Sequence, residues 1–318
     1  LSRIVKNYTV RLYQINDFEI WNAFIDKAKN ATFLFHRNFM EYHKDRFEDF
    51  SLIVENNSKL VAVLPANVLG NEVFSHQGLT YGGLVYDEKL DTENVRLVWN
   101  EILNFLKTEH KTNLIYKAVL SFYTQKSADE MPYFLFQNKA NFFRKDLNLA
   151  IDFTKNWSVS KSKMKHFRRI SEMDLEIRQD QNFEAFWNQV LIPRLAEKHQ
   201  AKPVHSLAEI EKLATDFPEN ILQYNVYFED EIIAGITLFH FKNGVKSQYG
   251  ATTVLGEKYR ALDFLFITLI ENFKDKVSFF DMGTVTENNE LGYNPGLLKQ
   301  KEELGCSVYT QDFYSISL

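Results

Sequence analysis

The pattern of hydrophobic and polar positions predicts the same order of elements twice along the chain. Short apolar or alternating runs indicate strands, and apolar positions at helical spacing indicate helices. In the first half, the pattern predicts helices over 17–29, 36–47, 92–109 and 128–140, and strands over 9–15, 50–56, 59–69, 72–86, 113–120 and 142–153. In the second half, it predicts helices over 183–200, 206–217, 258–274 and 294–304, and strands over 174–179, 222–229, 231–242, 244–254, 277–282 and 306–316. This order fits a mixed sheet with helices on both faces.

Short sequence similarities in the same order support an internal duplication. VRLYQINDFEIWN and LEIRQDQNFEAFWN both read as a strand that continues into a helix. SLIVENNSKLVAVLPA and YNVYFEDEIIAGITLF both read as a hairpin, and SHQGLT in the first half corresponds to SQYGAT in the second. The most polar connector, TKNWSVSKS, separates the two halves. We therefore predict an N-terminal domain over 1–156 and a C-terminal domain over 157–318.

Composition narrows the class of protein. The 318 residues are 45% hydrophobic and 15% aromatic, which is ample for two cores. A net charge of −5 excludes the global basic field of a dedicated nucleic-acid binder, although it leaves room for a local basic groove. Cys306 is the single cysteine, so an internal disulfide is excluded and a reducing compartment is expected. The apolar runs are short and the first residues lack a signal-peptide pattern, so we expect a cytoplasmic protein without a membrane span.

Three motifs in the second half carry a family resemblance. FFDMG (279–283) ends an apolar strand, GLLKQKEELG (296–305) forms a short helix, and SKSKMKHFRRISE (160–172) is a basic helical segment. Together with the order of elements, they resemble the FemABX family of peptidyl and aminoacyl transferases, whose members pair two units of the GNAT acyltransferase fold. The resemblance implies an α/β fold with a mixed sheet, built from two tandem GNAT-like domains.

The resemblance also implies a reaction. It points to an N-acyltransferase that moves an acyl or aminoacyl group onto an amine of an amino-sugar or cell-envelope precursor. The acceptor would be a small molecule or a nucleotide-linked precursor. No bound cofactor is expected, because the acyl donor acts as a co-substrate: an acyl-CoA, an acyl carrier protein or an aminoacyl-tRNA.

Two departures from related patterns affect the donor. The Gln/Arg-x-x-Gly-x-Gly/Ala loop that binds coenzyme A pyrophosphate in ordinary GNAT enzymes has no match in TYGGLVYDEKL or TVLGEKYRAL, which argues against a coenzyme A thioester. The helical arm of some family members is absent. This absence and the acidic net charge argue, more weakly, against an aminoacyl-tRNA.

Lys301 is the first candidate catalytic residue. The helix over 294–304 has Asn294 as its cap and Pro295 in its first turn, and its spacing places Lys301 on the apolar face beside Leu297 and Leu304. The resemblance implies that Lys301 enters the transfer site and stabilises negative charge on the reacting carbonyl. The alternative is a lysine whose stem covers the core while its head stays in water.

Asp281 is the second candidate, because it ends the apolar strand of FFDMG. An acid at this place could face the cleft of the sheet and accept the proton of the attacking amine. The alternative is an acid that caps the following loop.

Substrate-binding candidates come from two basic segments. The run KSKMKHFRR ends in Arg168 and Arg169, either of which could hold a phosphate of the acceptor, although such runs are more often solvated faces. In FLFHRNFMEYHKDRF, the resemblance implies that His43, with Arg37 nearby, occupies a nucleotide-contacting position. The alternative is a surface helix, and we predict no metal site because the spacing supplies no third ligand for His36 and His43.

The glycine-rich segment SHQGLTYGGLVY supplies the remaining candidates. Glycines in a strand pattern indicate a bulge or a close backbone approach. His76 and Tyr81 could line a cleft there, with Tyr249 at the related place of the second half, although His76 also fits a buried structural histidine.

Two other classes of function fit the same pattern. A tandem fold of this kind could bind a nucleotide-sugar without catalysis. A tRNA-binding accessory protein would use the basic segment over 161–169, and its affinity would depend strongly on salt. A serine or cysteine nucleophile is not indicated, because the sequence lacks a Gly-x-Ser-x-Gly elbow and Cys306 has no histidine placed beside it.

Overall fold

A computed structural model describes residues 7–318 and divides the chain into two compact units. The first, unit 1, runs to Lys145 and also contains Thr310–Leu318, whereas the second, unit 2, is Asp146–Tyr309. These bounds differ from the predicted domains 1–156 and 157–318. The reason is that strand-forming segments near the end of each half pair with strands of the other half, and such non-local pairing leaves no mark in local sequence patterns.

Unit 1 contains eight complete strands and four α-helices among its described residues. The strands are β1 (Tyr8–Leu12), β2 (Glu48–Asp49), β3 (Leu52–Asn56), β4 (Lys59–Leu64), β5 (Asn67–Leu69), β6 (Glu72–Phe74), β7 (Val85–Tyr86) and β8 (Asn113–Lys117). The helices are α1 (Phe18–Ile25), α2 (Arg37–Met40), α3 (Thr92–Thr108) and α4 (Glu130–Gln137). Short 3₁₀ turns occupy Ile15–Asp17, Phe33–Phe35, Glu41–His43 and Ser121–Tyr123.

The strands of unit 1 form two groups. One is an antiparallel meander in the order β1, β3, β4 and β7. In the other, β8 pairs in parallel with β6 and antiparallel with residues 313–317, and β6 continues through β5 to β2. Helix α3 covers the meander with a buried face that includes Val98, Trp99 and Ile102.

Three predicted elements of unit 1 are wrong in extent. The strand over 72–86 is broken into β6 and β7, because His76 and Gly83 adopt positive φ angles of 103° and 95° and the segment between them folds into turns. The strand over 59–69 divides at Pro65, which has no N–H for the sheet. The helix over 36–47 is reduced to α2 and a 3₁₀ turn.

Unit 2 agrees closely with the predicted elements. A ninth strand of the chain, β9 (Asn141–Asp152), begins in unit 1 and ends in unit 2. The remaining strands are β10 (Glu176–Arg178), β11 (Ile221–Phe228), β12 (Glu231–His240), β13 (Gly244–Thr252), β14 (Phe279–Thr284) and β15 (Ser307–Ser317). The helices are α5 (Lys161–Ile170), α6 (Phe183–Ala185), α7 (Ile192–His199), α8 (Leu207–Asp216), α9 (Val254–Tyr259), α10 (Ala261–Phe273) and α11 (Pro295–Glu303), and a π-helical segment, Phe186–Leu191, joins α6 to α7.

The sheet of unit 2 opens between two neighbouring strands. The order is β10, β11, β12, β13, β14 and the end of β9, and every pair except β13–β14 is antiparallel. The parallel pairing of β13 with β14 covers Gly244–Lys246, whereas β13 continues to Thr252. Beyond Lys246 the two strands therefore separate, and a β-bulge between Thr237 and Leu238 in β12 accompanies the change.

None of the helices within residues 7–318 is long and apolar enough to cross a bilayer.

The turn segment that replaces the predicted strand depends on Gly82. An added Cβ would lie 1.3 Å from the carbonyl oxygen of Ser75, which is a backbone atom and cannot easily move. We expect Gly82→Ala to reduce the free energy of unfolding by about 2–4 kcal/mol in a urea titration. The control is Gly296→Ala in α11, where the nearest atom would be 3.4 Å away, and it should be neutral or slightly stabilising. Equal stability of the two variants would contradict this account of the turn.

Candidate functional site

Helix α11 directs Lys301 into the interior of unit 2. The Asn294 side chain caps the helix by accepting the N–H of Leu297 at 2.9 Å, as the sequence predicts. Leu304 is fully buried, and Lys301 on the same face is only 8% exposed. The Lys301 ammonium donates to the carbonyl oxygens of Gly283 and Thr284 at 3.0 and 3.1 Å. Its head is therefore held by backbone oxygens, and the alternative of a head in water does not describe this lysine.

Asp281 is the third residue of β14 and is completely buried. Its Oδ1 accepts the Gly283 N–H and the Asn148 side-chain N–H, both at 2.7 Å. Its Oδ2 lies 3.4 Å from Nζ of Lys246, which is directly opposite in the register of β13 and β14. The carboxylate thus contacts the backbone of Gly283 two residues further along β14, Asn148 of β9 and Lys246 of β13.

Lys301, Lys246 and Asp281 form a buried cluster of two ammonium groups and one carboxylate. Burial, and after it the nearby Lys246, lower the pKa of Lys301 to about 8, against the opposite effects of Asp281 and Cys306. At neutral pH Lys301 is still mostly protonated, so the cluster holds an excess of positive charge in a water-poor place. Such an arrangement stabilises negative charge that develops beside it.

Cys306 follows the end of α11 and is also buried. Burial raises the pKa of its thiol far above the ordinary value, and Lys301 opposes this change only in part. The thiol is therefore neutral at physiological pH and is a poor nucleophile.

A cavity of about 620 Å³ lies in unit 2 beside the part of β13 that no longer pairs with β14. Its walls include the end of β13 at Gly250–Thr252, Arg260 between α9 and α10, and Leu297 and Gln300 of α11. Lys301 itself is not a lining residue, although the next residue toward the helix start is. The cavity also contains ion-paired side chains, since Glu257 binds both Arg194 and Lys198. Its chemistry suits a polar ligand with charged groups.

The basic segment of α5 divides into exposed and buried residues. Arg168 and Arg169 are exposed in the last turn of α5 and do not line the cavity described above. Lys163, which the sequence analysis did not single out, is buried and forms an ion pair with Asp263 at 2.6 Å. The phosphate-binding role of the two arginines remains a prediction.

In unit 1, Arg37 is buried within a network of its own chain. Its guanidinium donates to Asp49, Glu41 and Ser51, and it stacks over the Tyr13 ring at 3.8 Å. These contacts explain why Arg37 is buried with its charge, and they engage every side of the guanidinium fork.

The imidazoles of His43 and His76 are both buried and stack at 5.2 Å between ring centroids. His76 borders a cavity of about 410 Å³ in unit 1, together with Lys117, Arg144 and Phe313. Burial lowers the pKa of His76 to about 3, and the neighbouring His43 acts in the same direction. His76 is therefore neutral at physiological pH.

The two candidate tyrosines lie in separate environments. Tyr81 is fully buried, and its hydroxyl donates to Thr32 at 2.8 Å. The Tyr249 hydroxyl accepts the backbone N–H of His205 at 3.1 Å and lies 2.6 Å from its Nδ1. The structure brings neither tyrosine into contact with the Lys301 cluster through a described hydrogen bond.

Lys246 and Asn148 are the site residues that sequence reasoning missed. Lys246 stands in the apolar strand GVKSQYGAT, where alternation would place it on a solvated face, yet it is 8% exposed. The sequence did contain one signal for Lys246: it is a lysine in a predicted strand, next to the apolar residue Val245. No signal in the sequence marked Asn148, because its contact with Asp281 depends on the pairing of β9 with β14.

The buried, neutral state of His76 predicts a pH-dependent stability. The pKa is 6.5 in the unfolded chain and about 3 in the folded one, so the unfolded chain binds more protons between these values. Stability from this group is present above pH 6.5 and is lost as the pH falls toward 3, with a slope of up to about 1.4 kcal/mol per pH unit.

This dependence can be measured by urea unfolding between pH 7 and pH 4.5 with His76→Asn, which tolerates a positive φ. The variant should lose less stability on acidification than the natural chain. The exposed His110, replaced by Asn, is the control and should follow the natural chain. Parallel curves for the natural chain and His76→Asn would show that His76 does not carry the effect.

Comparisons with known proteins identify the fold. No family model matches the sequence, and no curated protein matches it at a significant level. Among solved structures, the chain is similar to FemX, with a TM-score of 0.70, 9% identity, and 98% of this chain and 97% of FemX covered. It is also similar to L-PGS from Bacillus licheniformis, with a TM-score of 0.55, 13% identity and 80% of each chain covered. A tandem GNAT protein from the clavulanic acid biosynthesis pathway matches with a TM-score of 0.52, 10% identity and 98% of each chain covered.

These matches confirm the predicted fold class, because they extend over both units at once and include a structure described as a tandem GNAT protein. The chain therefore has the FemABX-like tandem GNAT fold.

Proposed function

We propose that this chain is an N-acyltransferase that moves an acyl or aminoacyl group onto an amine of an amino-sugar or cell-envelope precursor. The observation that carries the proposal is the buried excess of positive charge at Lys301, Lys246 and Asp281, beside the opening between β13 and β14. A buried cation that lacks its own counter-ion costs stability and is retained at sites that use it. The similarity to FemX and to a tandem GNAT protein supports the same class of reaction.

The reaction requires one new bond and one broken bond. A neutral amine of the acceptor attacks the carbonyl carbon of the donor, and a C–N bond forms while the carbonyl oxygen becomes an oxyanion. The tetrahedral intermediate then expels the alcohol or thiol of the donor, which takes up a proton, and the amine loses one. Lys301 would donate a hydrogen bond to the oxyanion, which is the step where a fixed cation contributes about 3–4 kcal/mol.

Lys301 has a donor available for this role. An ammonium group carries three N–H donors, and among the described residues two of them meet the carbonyls of Gly283 and Thr284. Thr284 is exposed at the strand end, so a bound substrate can approach from that side and can also replace the contact to its carbonyl. The cavity at Leu297 and Gln300 would hold the body of the substrate.

We propose a chemical class for the donor and do not name one molecule. An acyl-CoA, an acyl carrier protein and an aminoacyl-tRNA all present an activated carbonyl on a phosphorylated carrier. The solved tandem GNAT neighbour is described as being without AcCoA, which makes a coenzyme A thioester the first donor to test, against the missing pyrophosphate-binding loop of this sequence. Arg260, at the turn between α9 and α10, is placed on the cavity wall where a carrier phosphate could be bound.

The acceptor is proposed to be a small or nucleotide-linked amine. The candidate contacts for its phosphate are either Arg168 and Arg169 on α5 of unit 2 or, as a separate site, the unit 1 cavity that contains His76, Lys117 and Arg144. His43 enters this proposal as a support of the unit 1 cavity because it stacks on His76, whereas Arg37 is engaged by its own chain and does not line that cavity. A substrate-binding role for Tyr81 and Tyr249 remains a prediction, and we assign no substrate contact to either of them.

A non-catalytic ligand-binding protein is the second candidate function. It is favoured by one observation: Lys301 is 8% exposed and does not line the cavity of unit 2. A binding protein would bind a nucleotide-sugar or related ligand and yield no product with any donor. This reading and the transferase reading differ in what replacing Lys301 would do.

Lys301→Met separates catalysis from folding. We expect the rate of transfer to fall about 100- to 1,000-fold, because one oxyanion donor is lost. The folded pKa of Lys301, about 8, lies below the ordinary 10.5, so its charge opposes folding at neutral pH. Replacement by an apolar side chain should leave the unfolding free energy unchanged or raise it by up to about 2 kcal/mol, after the loss of two hydrogen bonds.

The control is Lys299→Met, which removes an exposed lysine from the same helix and should change neither quantity. The transfer rate of the natural chain should also decline as pH rises through about 8, because the ammonium form is the active one. A folded Lys301→Met variant that retains full transfer would rule out this role of Lys301. Loss of stability without loss of transfer would make it a structural residue.

The donor class can be tested by calorimetry. The natural chain is titrated with acetyl-CoA, a long-chain acyl-CoA and free coenzyme A, with Arg260→Gln as the matched variant. If the cavity of unit 2 binds the carrier phosphate, both acyl-CoAs should bind at micromolar concentrations, and Arg260→Gln should weaken binding about tenfold. No binding to a folded protein would exclude the coenzyme A donor and leave a carrier protein or a tRNA.

A further inference from the structure

We infer that Lys246 is a positioning residue that acts through Asp281 and the backbone of Gly283 to hold the Lys301 ammonium in its transfer geometry. The inference rests on the proposed function of Lys301. It adds a residue on a different strand and states how that residue reaches the catalytic one.

Three contacts in series connect the two lysines. Lys246 Nζ lies 3.4 Å from Oδ2 of Asp281. The other carboxylate oxygen of Asp281 accepts the N–H of Gly283 at 2.7 Å, and the carbonyl of the same glycine accepts a hydrogen bond from Lys301 at 3.0 Å. The backbone conformation of Gly283 therefore connects the ion pair to the carbonyl that holds the Lys301 head.

Register explains why Lys246 can reach the carboxylate. Lys246 and Asp281 are the last partners in the short parallel pairing of β13 with β14. Immediately beyond them the strands separate, so the ion pair stands where backbone hydrogen bonds no longer join these two strands. A contact at this place sets where the opening begins.

Gly283 is adapted to both of its neighbours. It has a φ of +77°, which a side chain rarely adopts, and a Cβ there would lie 3.3 Å from Nζ of Lys246. The backbone thus turns sharply beneath the Lys246 head. This turn directs the Gly283 N–H toward Asp281 and leaves its carbonyl for Lys301.

The contacts of Asp281 favour a positioning role over proton transfer. The carboxylate is completely buried, and its described partners are all donors: the Gly283 N–H, the Asn148 amide and Lys246. Both oxygens of the carboxylate are thus already engaged by donors. In the proposed transferase, the amine proton would therefore leave through water or the donor group.

Three ionisable groups act on the pKa of Lys301 and must be considered in its titration: Lys246 from β13, Asp281 from β14 and Cys306 just before β15. Glu302 of α11 acts in turn on Cys306. Lys246 and Asp281 have opposite effects on the Lys301 amine, so removing Lys246 alone should raise the Lys301 pKa from about 8 toward its ordinary value.

The test uses the full chain and reads Lys301 directly. The fraction of Lys301 labelled by an amine-reactive reagent is measured by mass spectrometry across pH 6–11, which needs no knowledge of the substrate. Lys246→Met should shift the labelling midpoint of Lys301 upward by about one pH unit or more. Lys246→Arg should leave it within about half a unit, because the charge and the ion pair are restored. Lys299→Met is the control and should not move it.

Transfer measurements complete the test once a donor and acceptor are in hand. Lys246→Met should lower kcat about 10- to 100-fold with little change in KM, and Lys246→Arg should recover most of the loss. The double variant Lys246→Met with Asp281→Asn should have the same kcat as Asp281→Asn alone, because both residues act through the backbone of Gly283. If Lys246→Met does not fold, the double variant and Lys246→Arg carry the test.

Each outcome has a distinct meaning. An unchanged Lys301 midpoint and unchanged kcat in folded Lys246→Met would overturn the inference. Additive losses in the double variant would overturn the connection through Asp281. A shifted midpoint together with full activity of Lys301→Met would support the contacts and reject the proposed function instead.

Discussion

The complete burial of the Asp281 carboxylate is the constraint on which the site depends. A buried carboxylate must have its oxygens satisfied by donors, because the cost of leaving one bare is large. The donors come from three different segments: Asn148 from β9, Lys246 from β13 and the N–H of Gly283. Satisfying one carboxylate therefore joins three strands at the point where the sheet opens. The position of Lys301 follows, because its ammonium binds the carbonyl of that same glycine.

In the proposed transferase, this arrangement lowers the stability of the fold and provides positive charge for catalysis. Two buried ammonium groups share one carboxylate, so part of the positive charge is uncompensated within the cluster. If the cluster had only a structural role, a single ion pair or an apolar residue at position 301 would give a more stable fold. In the proposed transferase, the same excess charge would stabilise an oxyanion beside it. The pKa of Lys301, lowered to about 8 chiefly by burial, is consistent with a charge that opposes folding.

Local sequence patterns predicted the parts of the fold that local forces determine. The cap of α11 by Asn294 and the place of Lys301 on the apolar face of the helix follow from spacing, and both are present, whereas spacing left open whether the Lys301 head would be buried. The strand over 72–86 failed because its turns depend on the close approach of Gly82 to Ser75. Lys246 was missed for a related reason: alternation describes which side of a strand a residue faces, whereas its burial arises from Asp281 on the neighbouring strand. The bounds of the two units differ from those of the predicted domains because the pairing of residues 313–317 with β8 is non-local.

The buried thiol of Cys306 bears on the order of steps in the proposed reaction. It lies at the end of α11, and burial keeps it in the neutral form, so it cannot serve as the acyl carrier of a two-step transfer. The described part of the site contains no serine with a histidine base in the hydrogen-bond network of Lys301. The proposed transfer is therefore a direct attack of the amine on the donor carbonyl, with donor and acceptor bound together. A direct attack needs oxyanion stabilisation and orientation more than a nucleophile, and the Lys246–Asp281–Gly283–Lys301 series supplies both.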